Sequence, residues 1–226
     1  MLLSVCIGLY TVCVAAQNRS IQFEESKQWN VIVEKALQEN KLIFVDCYTD
    51  WCGPCKILSG QVFTRDSVAD FFNTRFVNAK FEMEKDTDGK ARHQQWNVKG
   101  YPTLLFIDPQ TEHVVHRMVG AGKAEWLIAG GQTALNPAGR LNGLLERYTA
   151  GEREPAFMIT YLRALRTASM HQERTETAIA YLSPLPVEQF AQADHWVIIR
   201  ENINDPLAEP FQRVMAHRPL FYELEG

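Results

Sequence analysis

Trp51-Cys52-Gly53-Pro54-Cys55-Lys56, following the apolar run Leu42-Ile43-Phe44-Val45, is the stretch from which the fold can be read. A strand leading into Cys-x-x-Cys at the mouth of a helix suits redox chemistry better than a structural crosslink. Helix N-termini carry unpaired N–H groups and about half a positive charge, which stabilise a thiolate placed there. On that reading Cys52 sits exposed at the terminus as the nucleophile. Cys55 follows one turn later on the same face, near enough to close a small ring. Pro54 suits the first helical turn, where its missing N–H costs nothing.

Two other uses of the pair compete with this one. Half a zinc site needs a second pair of ligands, and past residue 16 the chain offers one further cysteine, Cys47, and no His-x-x-x-His. His113 and His116 stand three apart in a predicted strand and point to opposite faces. A purely structural bridge closing so short a loop would contribute little to folding. No metal site is expected.

The hexapeptide is, residue for residue, the active-site sequence of the thioredoxin family, which the chain resembles over about residues 24–133. Phe44-Val45-Asp46 resembles the family's central strand, with an acid where thioredoxins bury one beneath the dithiol. Gly100-Tyr101-Pro102-Thr103, followed by Leu104-Leu105-Phe106-Ile107, looks like the family's cis-proline loop and the strand after it. The stretches "VDCYTDWCGPCK", "VFTRDSVADFF" and "GYPTLLFID" are similar to secreted thioredoxin-like domains of Gram-negative bacteria. They also resemble the C-terminal domain of the transmembrane carrier that feeds electrons to periplasmic reductases.

The resemblance implies an α/β thioredoxin fold, a central mixed sheet with helices on both faces. It implies Cys52 and Cys55 as the catalytic dithiol and Asp46 as the base that helps Cys55 lose its proton, through a water. Lys80, in the neighbouring strand, would be the companion of that acid. A cis Pro102 would leave the Tyr101 backbone open to an extended substrate segment, with Trp51 shielding the site and Gly53 and Pro54 supporting the turn. The residues alone leave open a hydrogen-bonded strand acid at Asp46, a surface lysine at Lys80 and a packing role for Trp51. Gly-Pro between the cysteines is typical of the family's reducing members, whose potentials lie near about −270 mV.

Composition fits a globular chain: 226 residues, 46 % hydrophobic, with 23 basic and 27 acidic side chains mixed along it for a net charge of −4. No basic cluster stands out, so nucleic acid is not an expected partner. Leu2–Ala16 is an apolar run free of charged side chains that ends Val14-Ala15-Ala16. It is short for a bilayer span and has the length of a secretory h-region, although no Lys or Arg precedes it. Residues 1–16 are therefore read as a signal peptide, and the protein as periplasmic or otherwise secreted. Cys6 and Cys13 would leave with it, so that Cys47, Cys52 and Cys55 remain. Cys47 is expected to be a small buried core residue.

Hydrophobic periodicity organises the rest. An amphipathic helix is predicted over 24–39 with Trp29, Ile32, Val33, Ala36 and Leu37 on one face, and a buried strand over 41–48. A helix runs from Gly53 toward Val62, and Asp66 is expected to cap another that carries Val68, Phe71 and Phe72. A strand over 76–83, a polar helix over 86–96, a hairpin over 103–119 and a helix from about Lys123 complete a thioredoxin-like domain over 20–135. From 136 to 226 strand signals vanish and an all-α helical-hairpin extension is expected. Its helices would open at Asn136-Pro137, Pro155, Pro186 and Asp205-Pro206, with a further one around Ile179–Leu182.

These readings converge on a thiol–disulfide oxidoreductase that reduces or isomerises protein disulfides outside the cytoplasm. No G-x-G-x-x-G follows a strand, so no nucleotide cofactor is expected; the Cys52–Cys55 disulfide is itself the redox group. Electrons would come from an upstream thiol donor, membrane-bound in this setting. Two alternatives stay open: an adaptor whose helical domain docks a protein, and a dedicated relay to one acceptor.

Overall fold

The computed structural model describes residues 19–224; the expected signal peptide, with Cys6 and Cys13, lies outside them. Four strands, β1 (Leu42–Tyr48), β2 (Phe76–Glu82), β3 (Thr103–Ile107) and β4 (Val114–Val119), form one sheet in the order β2-β1-β3-β4. β1 runs parallel to β2 and antiparallel to β3, and β3 pairs antiparallel with β4 as the expected hairpin. Helices α1 (Trp29–Glu39) and α4 (Thr87–Arg92) contribute to one layer. On the other face lie α2 (Gly53–Ile57), α3 (Asp66–Arg75) and α5 (Ala124–Leu135).

Strand alternation divides the core. Ile43, Val45 and Cys47 join Trp29, Ile32, Trp96 and Leu105 on the α1 side. Phe44 joins Leu58, Phe72, Phe106 and Leu127 on the other. Asp46, two residues beyond Phe44, shares its face, which places a carboxyl beneath α2.

Several boundaries differ from the expected ones. The first helix begins at Trp29, not residue 24, because the preceding segment runs along β2: Phe23 bridges Asn78, and the Glu24 N–H donates to the Asn78 carbonyl at 2.8 Å. Leu37 lies outside the core, 47 % exposed. Asp66 is not a cap; Arg65 holds that position, and Asp66 accepts from the Arg19 N–H at 2.9 Å. The polar helix of 86–96 shrinks to α4 followed by turns.

Beyond α5 come α6 (Leu141–Thr149), α7 (Pro155–Thr167), α8 (His171–Leu182), α9 (Ala193–Asn202) and α10 (Glu209–Ala216), which gather around Met158, Leu162, Leu182, Phe190 and Ile198 as a core of their own. Asn136-Pro137 forms a turn instead of opening a helix: the Asn136 side chain accepts from the Ala138 N–H at 3.2 Å, a local bond that competes with helix. Asp205-Pro206 does the same toward Leu207, which is left 84 % exposed. The helix expected from Pro186 splits into a 3₁₀ segment, Val187–Ala191, and α9.

α6 packs against β4, and its first residue, Leu141, donates its N–H to Nδ1 of buried His116 at 3.3 Å. Burial holds the His116 imidazole neutral, its pKa lowered from 6.5 to about 4. Between those values the unfolded chain binds the extra proton, so folding weakens as pH falls. His116→Gln, which still offers an acceptor to Leu141, is expected to remove this loss. Denaturant titrations from pH 7 to 4 should show wild type losing about 2–3 kcal/mol relative to the variant.

Gly143 lets α6 approach the preceding turn: a Cβ there would lie 1.8 Å from the Pro137 carbonyl oxygen. Intrinsic propensity alone would make Gly143→Ala stabilising by roughly 1 kcal/mol. We expect it instead to destabilise by about 1–3 kcal/mol, a reversal of sign readable in thermal unfolding.

Candidate active site

β1 delivers the chain to the loop Thr49–Trp51, and Cys52 takes the N-cap position of α2. The Cys52 N–H donates to the Thr49 carbonyl at 3.1 Å, and the Cys55 N–H donates to Cys52 Sγ at 3.1 Å. The latter is a donor aimed at the sulfur that must carry negative charge after reduction. Cys52 and Cys55 are joined as a disulfide with their Cα atoms 5.3 Å apart. Pro54 occupies the first turn, and α2 continues into a wider π-helical turn, Leu58–Val62. A Cβ on Gly53 would meet nothing within 4 Å, so the surface over the turn is open.

Cys52 is not exposed as the sequence suggested. It is 3 % accessible against 4 % for Cys55, to which its sulfur is bonded. The exposed member of the site is Trp51, at 67 %. Its indole N–H donates to Glu84 Oε2 at 3.0 Å, and its ring meets Tyr101 edge-on with centroids 5.8 Å apart. The Tyr101–Pro102 peptide bond is cis. That loop is pinned by the Thr103 hydroxyl on the Gly100 carbonyl at 2.7 Å and by the Gly120 N–H on the Pro102 carbonyl at 2.9 Å. Gly120 makes this bond with φ +99°, a conformation side chains disfavour. Tyr101's own N–H and C=O carry no intramolecular hydrogen bond among the described residues.

Behind the disulfide lies a cavity of about 170 Å³ lined by Asp46, Thr49, Cys55, Lys56, Ser59 and Lys80. Asp46 is buried, and its Oδ1 has no hydrogen-bond partner among the described residues. Burial raises its pKa from 3.8 to about 7, opposed by the charges of Lys80 and, less, Lys27. Lys80 is Asp46's register neighbour on β2 but is not among the ion pairs of the described residues; its ammonium lies over the Phe23 ring at 5.2 Å. Cys47 faces the opposite layer, fully buried, with its thiol pushed well up by burial. No cluster of three or more potential metal ligands occurs among the described residues.

Sequence reasoning missed the acids that hold the loop. Buried Glu82 accepts from the Asp50 N–H at 3.1 Å and from the Glu84 N–H at 2.9 Å, and Lys85 pairs with Asp50. An acid inside a buried strand run was the available signal, since a buried carboxylate needs donors.

Asp46 therefore sets a sign. The unfolded chain releases this proton near pH 3.8 and the folded chain near 7, so stability falls as pH rises through that window. Asp46→Asn should be more stable than wild type by about 2–4 kcal/mol at pH 8, with the gap closing toward pH 4, as measured by denaturant titration at each pH.

A family model described as Thioredoxin matches residues 20–131. Thioredoxin H-type 1 of Nicotiana tabacum is 33 % identical over 100 residues, 44 % of this chain and 71 % of that protein. The thiol:disulfide interchange protein DsbD of Haemophilus influenzae (strain PittEE) is 29 % identical over 104 residues, 44 % of this chain but 18 % of that protein. The solution structure of a candidate disulphide-isomerase from Bacteroides thetaiotaomicron is 44 % identical, covers 54 % of this chain and 98 % of its own, and superposes with a TM-score of 0.48.

Proposed function

The chain belongs to the thioredoxin family of thiol–disulfide oxidoreductases, and we propose that it reduces or isomerises protein disulfides outside the cytoplasm, with Cys52 attacking and Cys55 resolving. The observation that carries this reading is the shared placement of the two sulfurs: one receives a helix-start N–H, the other opens on the cavity that holds Asp46.

In the reduced protein the Cys52 thiolate attacks one sulfur of a partner disulfide. That bond breaks, its other sulfur leaves as a thiolate, and a mixed disulfide forms. Cys55 then gives its proton to Asp46, whose raised pKa suits it to accept near neutral pH. The Cys55 thiolate attacks Cys52 Sγ, the partner's second thiolate departs, and the two cysteines end oxidised as the bridge. Both partner thiolates take protons from solvent. The unbonded Tyr101 backbone suits strand-like pairing with the partner segment, and Trp51 and Tyr101 form an aromatic wall beside it.

Export is the reading of the apolar run Leu2–Ala16. A reductant in an oxidising compartment requires an electron source, which we take to be a membrane-bound thiol donor; similarity to a segment of a thiol:disulfide interchange protein supports thiol exchange as the route. The helices are given a part in choosing the partner. The corner between α7 and α8, Ala168–His171, lines a groove of about 340 Å³ together with Gly100 and Thr103, the residues that flank Tyr101-Pro102. On this reading a partner segment paired with the Tyr101 backbone would extend into this groove.

Insulin reduction driven by dithiothreitol should be fast for wild type and reduced to background for Cys52→Ala; equal rates would overturn general disulfide reduction and favour the adaptor. Cys55→Ser should accumulate mixed disulfides through Cys52 in cells, and mass spectrometry of the trapped chains identifies the partners. Fractionation of the same cells locates the protein, and recovery in the cytoplasm with residues 1–16 retained would overturn the export reading.

A further inference from the structure

We infer that Thr49 is a positioning residue for deprotonation of Cys55: its hydroxyl, together with the Asp46 carboxyl, holds a water in the cavity behind the disulfide. The inference rests on Cys55 acting as the resolving thiol and Asp46 as its base.

Thr49 is 1 % exposed, and its Oγ1 has no hydrogen-bond partner among the described residues. The same is true of Asp46 Oδ1. Both residues line one cavity with Cys55. Two unpartnered polar atoms are costly in a protein interior unless something polar lies between them. At about 170 Å³ the cavity far exceeds the ~10–15 Å³ that one water needs, and the two side chains with the Cys55 thiol offer such a water the two to four partners it requires. Leu58, Phe72 and Phe106 close the interior on this face of the sheet, so the polar lining is confined to the end beneath α2.

The position of the hydroxyl is tied to the nucleophile. The Thr49 carbonyl receives the Cys52 N–H at 3.1 Å, so the residue that would anchor the water also fixes the start of the redox loop. In the step itself the Cys55 proton passes to the water while the water passes a proton to Asp46. The Cys55 electron pair then attacks Cys52 Sγ, and the partner sulfur leaves with the pair of the broken S–S bond. Thr49 neither gains nor loses a proton; it donates to the water oxygen or accepts from it.

Asp46 is faced by Lys80 from β2, by Lys27 from the segment before α1, by Lys56 and Cys55 from α2, and by Tyr48 and Asp50 from its own strand and loop. Thr49 adds no charge to that set, so its loss acts through hydrogen bonding alone. Losing the hydroxyl that holds the water hydrogen-bonded to the carboxylate favours the protonated form.

The test is stopped-flow mixing of the reduced full chain with the symmetric disulfide of a cysteine peptide. One thiol is released when the Cys52 mixed disulfide forms and the second when Cys55 attacks. Thr49→Val, similar in shape but without the hydroxyl, is expected to slow the second release about tenfold at pH 7 and leave the first unchanged. It is also expected to move the midpoint of the second release to higher pH, and Thr49→Ser should restore both rate and midpoint. A Thr49→Val protein with the wild-type second rate and midpoint overturns the inference. Equal slowing of both releases does so as well, because it marks a distorted loop. Asp46→Asn separates the failures: if it slows the second release while Thr49→Val does not, the role of Thr49 alone falls, and if neither does, the role of Asp46 falls with it.

Discussion

The register of β1 is the constraint on which the site depends. Side chains along a strand alternate between faces, so Phe44, Asp46 and Tyr48 look toward α2 while Val45 and Cys47 look toward α1. A slip of one residue would exchange Asp46 for Cys47, putting a thiol beneath the disulfide and a carboxyl against Trp29 and Trp96. Pairing on both sides forbids it: Asp46 stands opposite Lys80 on β2 and Leu104 on β3, held by a parallel and an antiparallel ladder at once. The aromatic cluster of Phe44, Phe72 and Phe106, with centroid separations of 4.6, 5.4 and 6.3 Å, fixes the same register from the core side.

Within that frame two buried titratable groups are held near neutral form by burial, with opposite consequences. Asp46 is destabilising when ionised, and among the described residues no ion pair offsets that: Lys80 and Lys27 soften the penalty from a distance. An acid so placed in a core that could have held an apolar side chain is a local rule broken at a working site. His116 is different. Its ring accepts from the Leu141 N–H and lies tilted against Phe106 with centroids 5.8 Å apart, so its neutral state is part of the joint between β4 and α6. Acidification relieves the first group and strains the second, so their contributions to the pH dependence oppose one another between pH 4 and 6.5.

What the sequence made legible is what short-range pattern determines. Trp51–Lys56, the apolar run before it and the hairpin around Pro109-Gln110-Thr111-Glu112 are local signals, and the sheet follows from them. The misreadings have long-range causes. Residues 24–28 carry a helical pattern but are drawn to the edge of β2, and Trp29 starts its helix with an N–H donated to Asp88, 59 residues away, at 2.6 Å. Asn136-Pro137 and Asp205-Pro206 read as helix starts, yet each side chain satisfies a backbone N–H two residues on and closes a turn first. The strand run could flag Glu82 as a buried acid, but neither its partner nor that of Glu84 can be read from neighbours in the chain; one holds the Asp50 N–H and the other the Trp51 indole.

The helices after α5 are tied to the redox layer at two places that differ in kind. At the seam of α6 and β4 the tie is the Leu141–His116 hydrogen bond, and the close approach of Gly143 to Pro137 holds α6 against the turn that leads into it. At the corner of α7 and α8 the chain instead leaves a groove beside Gly100 and Thr103, with Ser169 turning the corner at φ +54°. This corner lies at the active-site end of the sheet: its groove includes Thr103, which stands opposite Val119 at the end of β4 and opposite Cys47, next to the last residue of β1. The same sheet register that sets Asp46 under the disulfide therefore also sets where this corner meets the Tyr101-Pro102 loop.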